Sequence, residues 1–486
     1  MKKTENKNIN PKSQALNKRI HIIGICGVAT SALAVAFHKK GWFVTGSDKG
    51  FYPPVSMALE QASIPFYAGW HPEKMAPIDS DGKLTVPDFV VAGGSGTSLS
   101  NPEIVFAKEH NIPVLSFAQA LGKFFIKKNS IVTAGTWGKT TTSAILSFIM
   151  LKAGMNPSYF TGGLSLSHDT GALADSDWSI VEGDEYQAAI WDKQPKFAYY
   201  SPTHLLLTSV SWDHADLYPT EQAYFETFEK LVANIPAHPA LGLIVYCDDD
   251  KGVQKVITQA VCTRTVSYGK EKSAAYHYHA VHHTKEGIVF TITYGQKDFT
   301  VVSPMLGRFN AENITGCFAM ACESGINPQV TIAAMRNFKG IKRRLEKRYE
   351  GTITVLDCHA PTAEKAASVL ESIREVYDKK ILAVFEPNIG GRQRSSINMY
   401  DNVFKNADWL FIPRFTKVKI DLTVPLEGDD LAAYISKTHP SATYIEDDTA
   451  LVRKIVETAK SGDIIVFLGS HGFRGMIEGT IDKLKK

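Results

Sequence analysis

Apolar segments of strand length alternate with helical patterns along most of the chain. In the first third, apolar runs lie at residues 19–27, 42–47 and 88–92, and helical spacing lies at 55–62 and 104–110. An alternation of strands and helices is typical of a doubly wound parallel sheet. The first third is therefore predicted to form an α/β domain.

The middle of the chain repeats this pattern and then changes it. A strand ending near residue 134 is followed by an expected helix of about four turns at 140–153. At 276–283 and 288–294, two segments read as paired strands around a turn, which predicts a small antiparallel addition. Further strands are predicted at 178–181, 205–210 and 243–247, and further helices at 311–323 and 329–338.

A third α/β unit is predicted near the carboxyl end. Strands are expected at 353–357, 381–385, 409–412 and 463–467, with a long helix at 362–377. The predicted organisation is a mobile polar tail at 1–19 and three domains at 20–126, 127–338 and 339–486. A length of 486 residues agrees with about three domains at roughly 150 residues each.

Composition excludes several classes of protein. Hydrophobic residues make up 44% and charged residues 21% of the chain, which excludes general disorder. Apolar runs are far shorter than the roughly 20 residues of a membrane helix, so no membrane insertion is expected. The net charge of +3 is not concentrated on one basic segment, so no nucleic-acid partner is expected.

Two further features indicate a cytoplasmic enzyme. The polar amino-terminal tail lacks the apolar core of a signal peptide. The six cysteines are scattered without the CxxC spacing of a zinc ribbon or a disulfide scaffold. Buried free thiols are therefore expected.

The strongest chemical motif is a phosphate-binding loop at residues 135–142, Gly-Thr-Trp-Gly-Lys-Thr-Thr-Thr, between a predicted strand and a predicted helix. Glycines let the backbone wrap a phosphate, the lysine supplies positive charge, and the helix amino terminus favours anions. Thr133 stands where a strict P-loop has its first glycine. The candidate nucleotide-binding residues of the loop are Gly135, Thr136, Gly138, Lys139, Thr140 and Thr141.

Acidic and histidine residues follow neighbouring predicted strands. Glu182 begins the stretch Glu-Gly-Asp-Glu-Tyr, and carboxylates at a strand's carboxyl end are well placed to hold Mg²⁺ near ATP. His214 lies between Asp213 and Asp216 and can ligate a metal, orient a nucleophile or serve only the structure. Four near-alternating histidines at 277–283 are interpreted as one strand surface.

Two weaker signals remain. Gly24 and Gly27 form a reduced glycine turn, and Asp48 ends the next strand, where a ribose-binding acid lies in dinucleotide-binding folds. This turn could bind NAD, a UDP-sugar or nothing. The basic segment 342–346 precedes the third unit, where an arginine could close onto a γ-phosphate or remain solvated.

Together these motifs resemble the Mur ligases of peptidoglycan synthesis, over residues 19 to about 484. The resemblance implies a Rossmann-like UDP-sugar domain, a central P-loop ATPase domain and a Rossmann-like carboxyl-terminal domain. The segment around Gly24 and 46–48 is similar to the muramate branch. The stretches 182–197 and 212–218 are similar to members that act in peptidoglycan recycling.

The resemblance also implies residue roles. Lys139, His214 and Arg344 are the expected catalytic residues, and Thr140, Glu182 and His214 are the expected Mg²⁺ ligands. Besides Lys139 and its loop, ATP contacts are implied for Asn310, Arg344 and Asp357, and UDP-sugar contacts for Gly24, Gly27, Ser47 and Asp48.

The implied reaction joins the lactyl carboxylate of UDP-N-acetylmuramate to an amine, with ATP and Mg²⁺ as cofactors. The expected amine is that of the peptide L-alanyl-γ-D-glutamyl-meso-diaminopimelate, and L-alanine is the alternative. Oligomeric state stays open.

The chain departs from the family pattern at three places. Trp137 and Phe309 stand where the family usually has histidine, and the third-domain motif is shortened to residues 357–361. A catalytically weakened nucleotide-binding paralogue therefore stays a second alternative. An NAD-dependent dehydrogenase built on residues 24–48 is a third, although it leaves the P-loop without a function.

Overall fold

The computed structural model describes residues 18–51, 55–93, 97–214, 217–262, 264–416 and 425–485. The first sheet has five parallel strands in the order β3-β2-β1-β4-β5. Its elements are β1 (Arg19–Ile23), α1 (Val28–Lys39), β2 (Phe43–Asp48), α2 (Val55–Gln61), β3 (Phe66–Ala68), α3 (Pro72–Met75), β4 (Phe89–Ala92), α4 (Pro102–Glu109), β5 (Val114–Ser116) and α5 (Phe117–Phe124). Arg19, which was assigned to the tail, instead begins β1 because its backbone pairs with that of Phe43.

The central sheet has ten strands and mixed direction. Its elements begin with β6 (Asn129–Ala134), α6 (Lys139–Lys152), β7 (Ser158–Phe160), β8 (Gly171–Ala172), β9 (Trp178–Gly183) and β12 (His204–Leu207). They continue with α7 (Glu221–Ala233), β13 (Leu243–Cys247), α8 (Lys251–Ile257), β14 (Thr265–Gly269), β15 (Tyr276–Thr284), β16 (Gly287–Tyr294), β17 (Lys297–Ser303), α9 (Phe309–Glu323) and α10 (Pro328–Asn337). A separate hairpin of β10 (Gln187–Ala189) and β11 (Asp192–Pro195) was not predicted.

The strand order in the central sheet determines where the candidate site residues lie. The order is β17-β16-β15-β14-β13-β12-β6-β9-β7-β8, and β14-β13-β12-β6-β9-β7 run parallel. The carboxyl ends of these parallel strands therefore share one edge. The predicted antiparallel pair is confirmed as β15 and β16, and it continues the sheet because β15 pairs in parallel with β14.

The third sheet has six strands in the order β18-β19-β23-β20-β21-β22, and only the β18–β19 pairing is antiparallel. Its elements are β18 (Glu346–Glu350), β19 (Thr354–Cys358), α11 (Ala363–Arg374), β20 (Ile381–Glu386), β21 (Trp409–Pro413), α12 (Gly428–Ile435), β22 (Ala442–Ile445), α13 (Asp448–Thr458), β23 (Ile464–Gly469) and α14 (Met476–Leu484). The helix predicted from residue 362 starts one residue later because Thr362 caps it, accepting a hydrogen bond from the Lys365 backbone.

Apolar contacts join neighbouring sheets. The Phe125 ring from the first unit lies edge-on to the Phe160 ring of the central unit, with centroids 5.7 Å apart. Leu306, which precedes α9, packs into the apolar core of the third sheet. A polar contact also crosses to the third unit, where His283 Nδ1 on β15 lies 3.0 Å from Glu375 Oε2 at the end of α11.

Within the described ranges, we find no helix that combines the length and apolar character needed to span a bilayer.

Candidate active site

The P-loop connects β6 to α6 at the carboxyl edge of the central sheet. Gly135 and Gly138 adopt φ values of +140° and +84°, in the region that favours glycine. A Cβ on Gly135 would lie 2.3 Å from Thr208 Oγ1, and one on Gly138 would lie 2.6 Å from Asn313 Oδ1. Both glycines are therefore required by conformation and by space.

The residues that follow β12 hold this loop in place through hydrogen bonds. The Thr136 backbone N–H donates to the Ser209 carbonyl (2.9 Å), and the Trp137 N–H donates to Ser209 Oγ (2.9 Å). The strand predicted at 205–210 ends at Leu207, and Ser209 bonds to the loop instead of continuing the pairing with β6. The loop is thus preorganised by backbone contacts.

Lys139 is held at the centre of the loop. Its ammonium donates to the Gly135 carbonyl (2.6 Å) and pairs with Glu185 Oε2 (2.8 Å). Burial alone would lower the pKa of Lys139, but Glu185, Asp184 and Glu182 outweigh it and raise the pKa. Lys139 is therefore a permanent positive charge in a partly enclosed site. Sequence analysis did not assign Glu185 a role, although the acidic stretch was the signal that could have found it.

Thr140 and Glu182 lie together beside the loop. Thr140 Oγ1 donates to Glu182 Oε1 (3.0 Å), and the Gly162 N–H donates to Glu182 Oε2 (2.6 Å). Burial and the nearby Asp184 raise the pKa of Glu182 despite Lys139. A cation at this position would relieve the crowding of negative charge. A hydroxyl and a carboxylate are also the oxygen donors that Mg²⁺ takes, so these residues fit the ion. Thr141, in the same helical turn, is buried.

His214 approaches the same cluster from the segment after β12. Its Nε2 lies 3.6 Å from Glu185 Oε1, and its φ is +55°. The Glu185 carboxylate and the neighbouring Asp213 raise the pKa of His214, against the effect of burial. The structure therefore brings together Lys139, Thr140, Glu182 and His214, while Asp216 lies outside the described residues.

The two aromatic departures from the family pattern are both accessible. Trp137 in the P-loop and Phe309 at the start of α9 are each 40% exposed. The histidines on β15 match the strand-surface interpretation, since the rings of His277 and His279 stack with centroids 4.8 Å apart.

Cations of the third unit face the central site. Arg343 is tied to the Gly469 and Ser470 carbonyls (both 2.8 Å), whereas Arg344 makes one long bond to the His359 carbonyl (3.4 Å). Lys365, in the first turn of α11, has its pKa lowered by burial and by Arg344 and Lys139, while Asp213 opposes the shift. Lys365 therefore lies within electrostatic range of the P-loop lysine. Sequence analysis missed it because no motif marks it.

Three candidate side chains are already committed to protein partners. Ser47 donates to Glu103 Oε2 (2.5 Å), Asn310 donates to the Leu306 carbonyl (2.7 Å), and Asp357 pairs with Arg343 (3.3 Å). All three are at most 2% exposed. Their polar groups are closed off from solvent, and the ATP contacts of Asn310 and Asp357 and the UDP-sugar contact of Ser47 stay predictions.

The glycine turn of the first sheet directly follows β1. Gly24 has φ +77° and its N–H donates to the Ser47 carbonyl (2.8 Å). Asp48 Oδ2 accepts from the Cys26 N–H (2.8 Å), and Gly27 caps α1. The Asp48 carboxylate thus holds the turn at the carboxyl edge of the sheet, which brings together Gly24, Gly27 and Asp48.

Comparison with known protein families matches almost the whole chain. Residues 19–129 match the Mur ligase family catalytic domain, 132–321 the Mur ligase middle domain, and 343–471 the Mur ligase glutamate ligase domain.

Two curated relatives align over nearly their full length. The chain is 30% identical to the UDP-N-acetylmuramate–L-alanyl-γ-D-glutamyl-meso-2,6-diaminoheptandioate ligase of Escherichia coli K12, covering 96% of this chain and 98% of the relative. It is 28% identical to the UDP-N-acetylmuramate–L-alanine ligase of Novosphingobium aromaticivorans, covering 96% and 97%.

A solved structure shares the fold. The UDP-N-acetylmuramate–alanine ligase of Thermotoga maritima superposes with a TM-score of 0.75 at 20% identity, covering 96% of this chain and 99% of that one.

Proposed function

The chain belongs to the Mur ligase family, and from that premise we propose that it joins UDP-N-acetylmuramate to L-alanyl-γ-D-glutamyl-meso-diaminopimelate in peptidoglycan recycling. Family members are ATP-dependent, ADP-forming amide ligases of peptidoglycan synthesis, and this chain is an enzyme of that class. The peptide acceptor is the part that we propose.

The convergence of Lys139, Thr140, Glu182 and His214 at one sheet edge carries the proposal. A carboxylate is a poor acylating agent because its leaving group is oxide. Transfer of the γ-phosphoryl group of ATP to the lactyl carboxylate gives an acyl phosphate, and attack by the amine then expels phosphate. Charge builds up on the phosphoryl oxygens during the first step, so preorganised cations accelerate it.

In this scheme each charged residue has a task. Lys139 neutralises the β- and γ-phosphate oxygens, and Glu185 keeps its ammonium at the loop. Arg344 and Lys365 approach from the third unit and add positive charge. Closure of the third unit also keeps water from the acyl phosphate.

Thr140, Glu182 and His214 are the residues we assign to hold Mg²⁺. When bound, the ion supplies charge neutralisation to the phosphate oxygens. Gly24, Gly27 and Asp48 are assigned to the UDP-sugar, and their turn at the carboxyl edge of the first sheet supports this assignment.

The Escherichia coli relative and the similarity at 182–197 and 212–218 support a peptide acceptor. The second candidate is UDP-N-acetylmuramate–L-alanine ligation, which the Novosphingobium relative supports at nearly equal identity.

Coupled ADP release decides between the two acceptors. The purified chain receives ATP, Mg²⁺ and UDP-N-acetylmuramate with either the tripeptide or L-alanine. We expect kcat/KM to be at least about 100-fold higher with the tripeptide, because a site that must satisfy several carboxylates discriminates strongly against a smaller amine. Higher kcat/KM with L-alanine would establish the second candidate.

Two outcomes would overturn ligation altogether. ATP binding without ADP release for any amine would identify the weakened paralogue. Nicotinamide reduction with a hydroxy substrate would revive the dehydrogenase. A reaction without any amine serves as the blank, because ADP released there measures contaminating or uncoupled ATP hydrolysis.

A further inference from the structure

A second cluster of metal-binding groups lies at the carboxyl edge of the central sheet, away from the Thr140–Glu182 pair. Cys247 is the last residue of β13, Asp249 follows it by two residues, and Glu312 lies in the first turn of α9. The Cys247 Sγ and one carboxylate oxygen from each acid all lie within 4.8 Å of one another. Cys247 is 1% exposed, whereas the two acids are partly exposed.

An unpartnered buried hydroxyl lies against this cluster. Tyr268 on β14 is paired directly with Cys247 in the sheet register and is fully buried. Among the residues that the structure describes, none is a hydrogen-bond partner of its OH. Cys247 and Glu312 are its strongest electrostatic neighbours. A buried hydroxyl without a partner costs about 1–3 kcal/mol, so a group that accepts or donates a hydrogen bond there is favoured.

The charges around the cluster favour a cation. Asp249 and Glu312 bring two carboxylate groups together beside the buried thiol of Cys247. Asp249 already accepts two hydrogen bonds from the Lys270 backbone N–H (2.9 and 3.2 Å), which fix its orientation. The carboxylates are therefore held close together in spite of their repulsion.

We propose that Cys247, Asp249 and Glu312 form a binding site for a thiophilic divalent cation of the Zn²⁺ class, separate from the Mg²⁺ site. A sulfur ligand disfavours Mg²⁺ and Ca²⁺, which take oxygen ligands, and favours zinc-like ions. In a tetrahedral site the ligand atoms lie about 3.3–3.8 Å apart, so shifts of about 1 Å complete it. Tyr268 OH then hydrogen-bonds the water in the fourth position.

The site ties β13 to the first turn of α9. This turn also carries Asn313, whose side-chain oxygen lies against Gly138 of the P-loop. The cation therefore stabilises the wall of the nucleotide cleft without entering it. The proposed cation site lies at this sheet edge alone, so it does not depend on which amine the enzyme uses.

Cobalt titration tests the site, since a cysteine thiolate bound to Co²⁺ gives a charge-transfer band in the near ultraviolet. The full chain is titrated with Co²⁺ in millimolar Mg²⁺, and we expect one equivalent of thiolate-bound Co²⁺ that Zn²⁺ displaces. Cys247→Ser removes the band. Cys322→Ser, at a half-exposed cysteine of the same unit, retains it and is the matched control.

A second variant keeps the thiol intact in case Cys247→Ser does not fold. Glu312→Gln is expected to weaken Co²⁺ binding at least about tenfold, since one of three protein ligands loses its charge. In the wild type, Zn²⁺ is expected to raise Tm by about 2 °C or more. A band that is absent from the wild type, or unchanged in both variants, overturns the site, as does binding confined to the β15 histidines without a thiolate band.

Discussion

At the scale of single residues, the site depends on a few buried charges that hold one another. Lys139 is 13% exposed and Glu185 is 1% exposed, and their 2.8 Å pair is flanked by Glu182 and His214. Removal of one partner of a buried ion pair lowers the free energy of unfolding by several kcal/mol, because the other charge is left uncompensated. The residues in direct contact with Lys139 therefore determine both its position and its protonation.

Substitution of Lys139 tests the phosphate-binding assignment. Lys139→Ala is expected to lower kcat for ADP release by about 10²–10³-fold, because a preorganised charge on the transferring phosphoryl group is lost. Lys152→Ala at the other end of α6 is the matched control and should retain activity. Near wild-type ADP release by Lys139→Ala would refute the assigned role.

A second buried charge network tests how the first sheet is held. Glu103 is fully buried and accepts from Ser47 (2.5 Å), Tyr67 (2.7 Å) and the His71 N–H (2.9 Å), and it lies 3.4 Å from His21 Nε2. Burial raises the pKa of Glu103, but its hydrogen bonds and His21 outweigh burial, so the pKa is lowered. The ionised form is therefore favoured by folding.

Glu103→Gln should destabilise the protein by about 2–3 kcal/mol at pH 7, because the buried partners lose a charged acceptor. A carboxyl group whose pKa is lowered by folding stabilises the folded state fully at pH values above its pKa in the unfolded chain. This stabilisation is lost as the pH falls through its pKa in the folded protein. The difference in the free energy of unfolding between wild type and variant should therefore become smaller below about pH 4.5. Denaturant unfolding across pH measures it, and exposed Glu109→Gln on α4 is the control. A difference that stays constant with pH would contradict this account.

At the scale of elements, the P-loop depends on a close approach between α6 and α9. Gly138 has φ +84°, and Asn313 Oδ1 from α9 occupies the space where a Cβ would lie. The loop therefore keeps its shape through packing of a second helix and through its own backbone.

Two glycines that flank α6 distinguish the effect of backbone strain from that of steric crowding. Gly138→Ala combines positive φ with a contact at 2.6 Å, whereas Gly154→Ala has φ +75° and no atom within 4 Å of the added Cβ. Gly154→Ala should lower the free energy of unfolding by about 1 kcal/mol through backbone strain alone. Gly138→Ala should lower the free energy of unfolding by more than this and should raise the Kd for ATP at least about tenfold. Equal effects on ATP binding would show that crowding at Asn313 is unimportant.

At the scale of the whole molecule, the third unit closes positive charge onto the central site. Arg344 and Lys365 belong to the third unit, whereas Lys139 and Asp213 belong to the central one, and Lys365 interacts electrostatically with each of the other three. Contacts such as His283–Glu375 (3.0 Å) hold the two units together. Cations that two units direct toward one cleft are suited to a polyanionic ligand such as a triphosphate.

Removal of one such cation should affect catalysis without harming the fold. Lys365→Met is expected to raise KM for ATP or lower kcat about tenfold, while Tm stays the same or rises because burial disfavours the ammonium. Steady-state kinetics and thermal unfolding measure both effects. Lys454→Met, at an exposed lysine of α13, is the control. A lower Tm with unchanged kinetics would make Lys365 structural.

Sequence alone determined the features that depend on neighbours along the chain. The P-loop between β6 and α6, the three α/β units and the β15–β16 pair follow from spacing and turn residues, which act over a few positions. Only tertiary structure decided which side chains meet. It buried Ser47 and Asn310 against protein partners, placed Glu185 on Lys139 and brought Lys365 across from another unit. Such contacts depend on how sheets pack, and no local pattern along the chain encodes that packing.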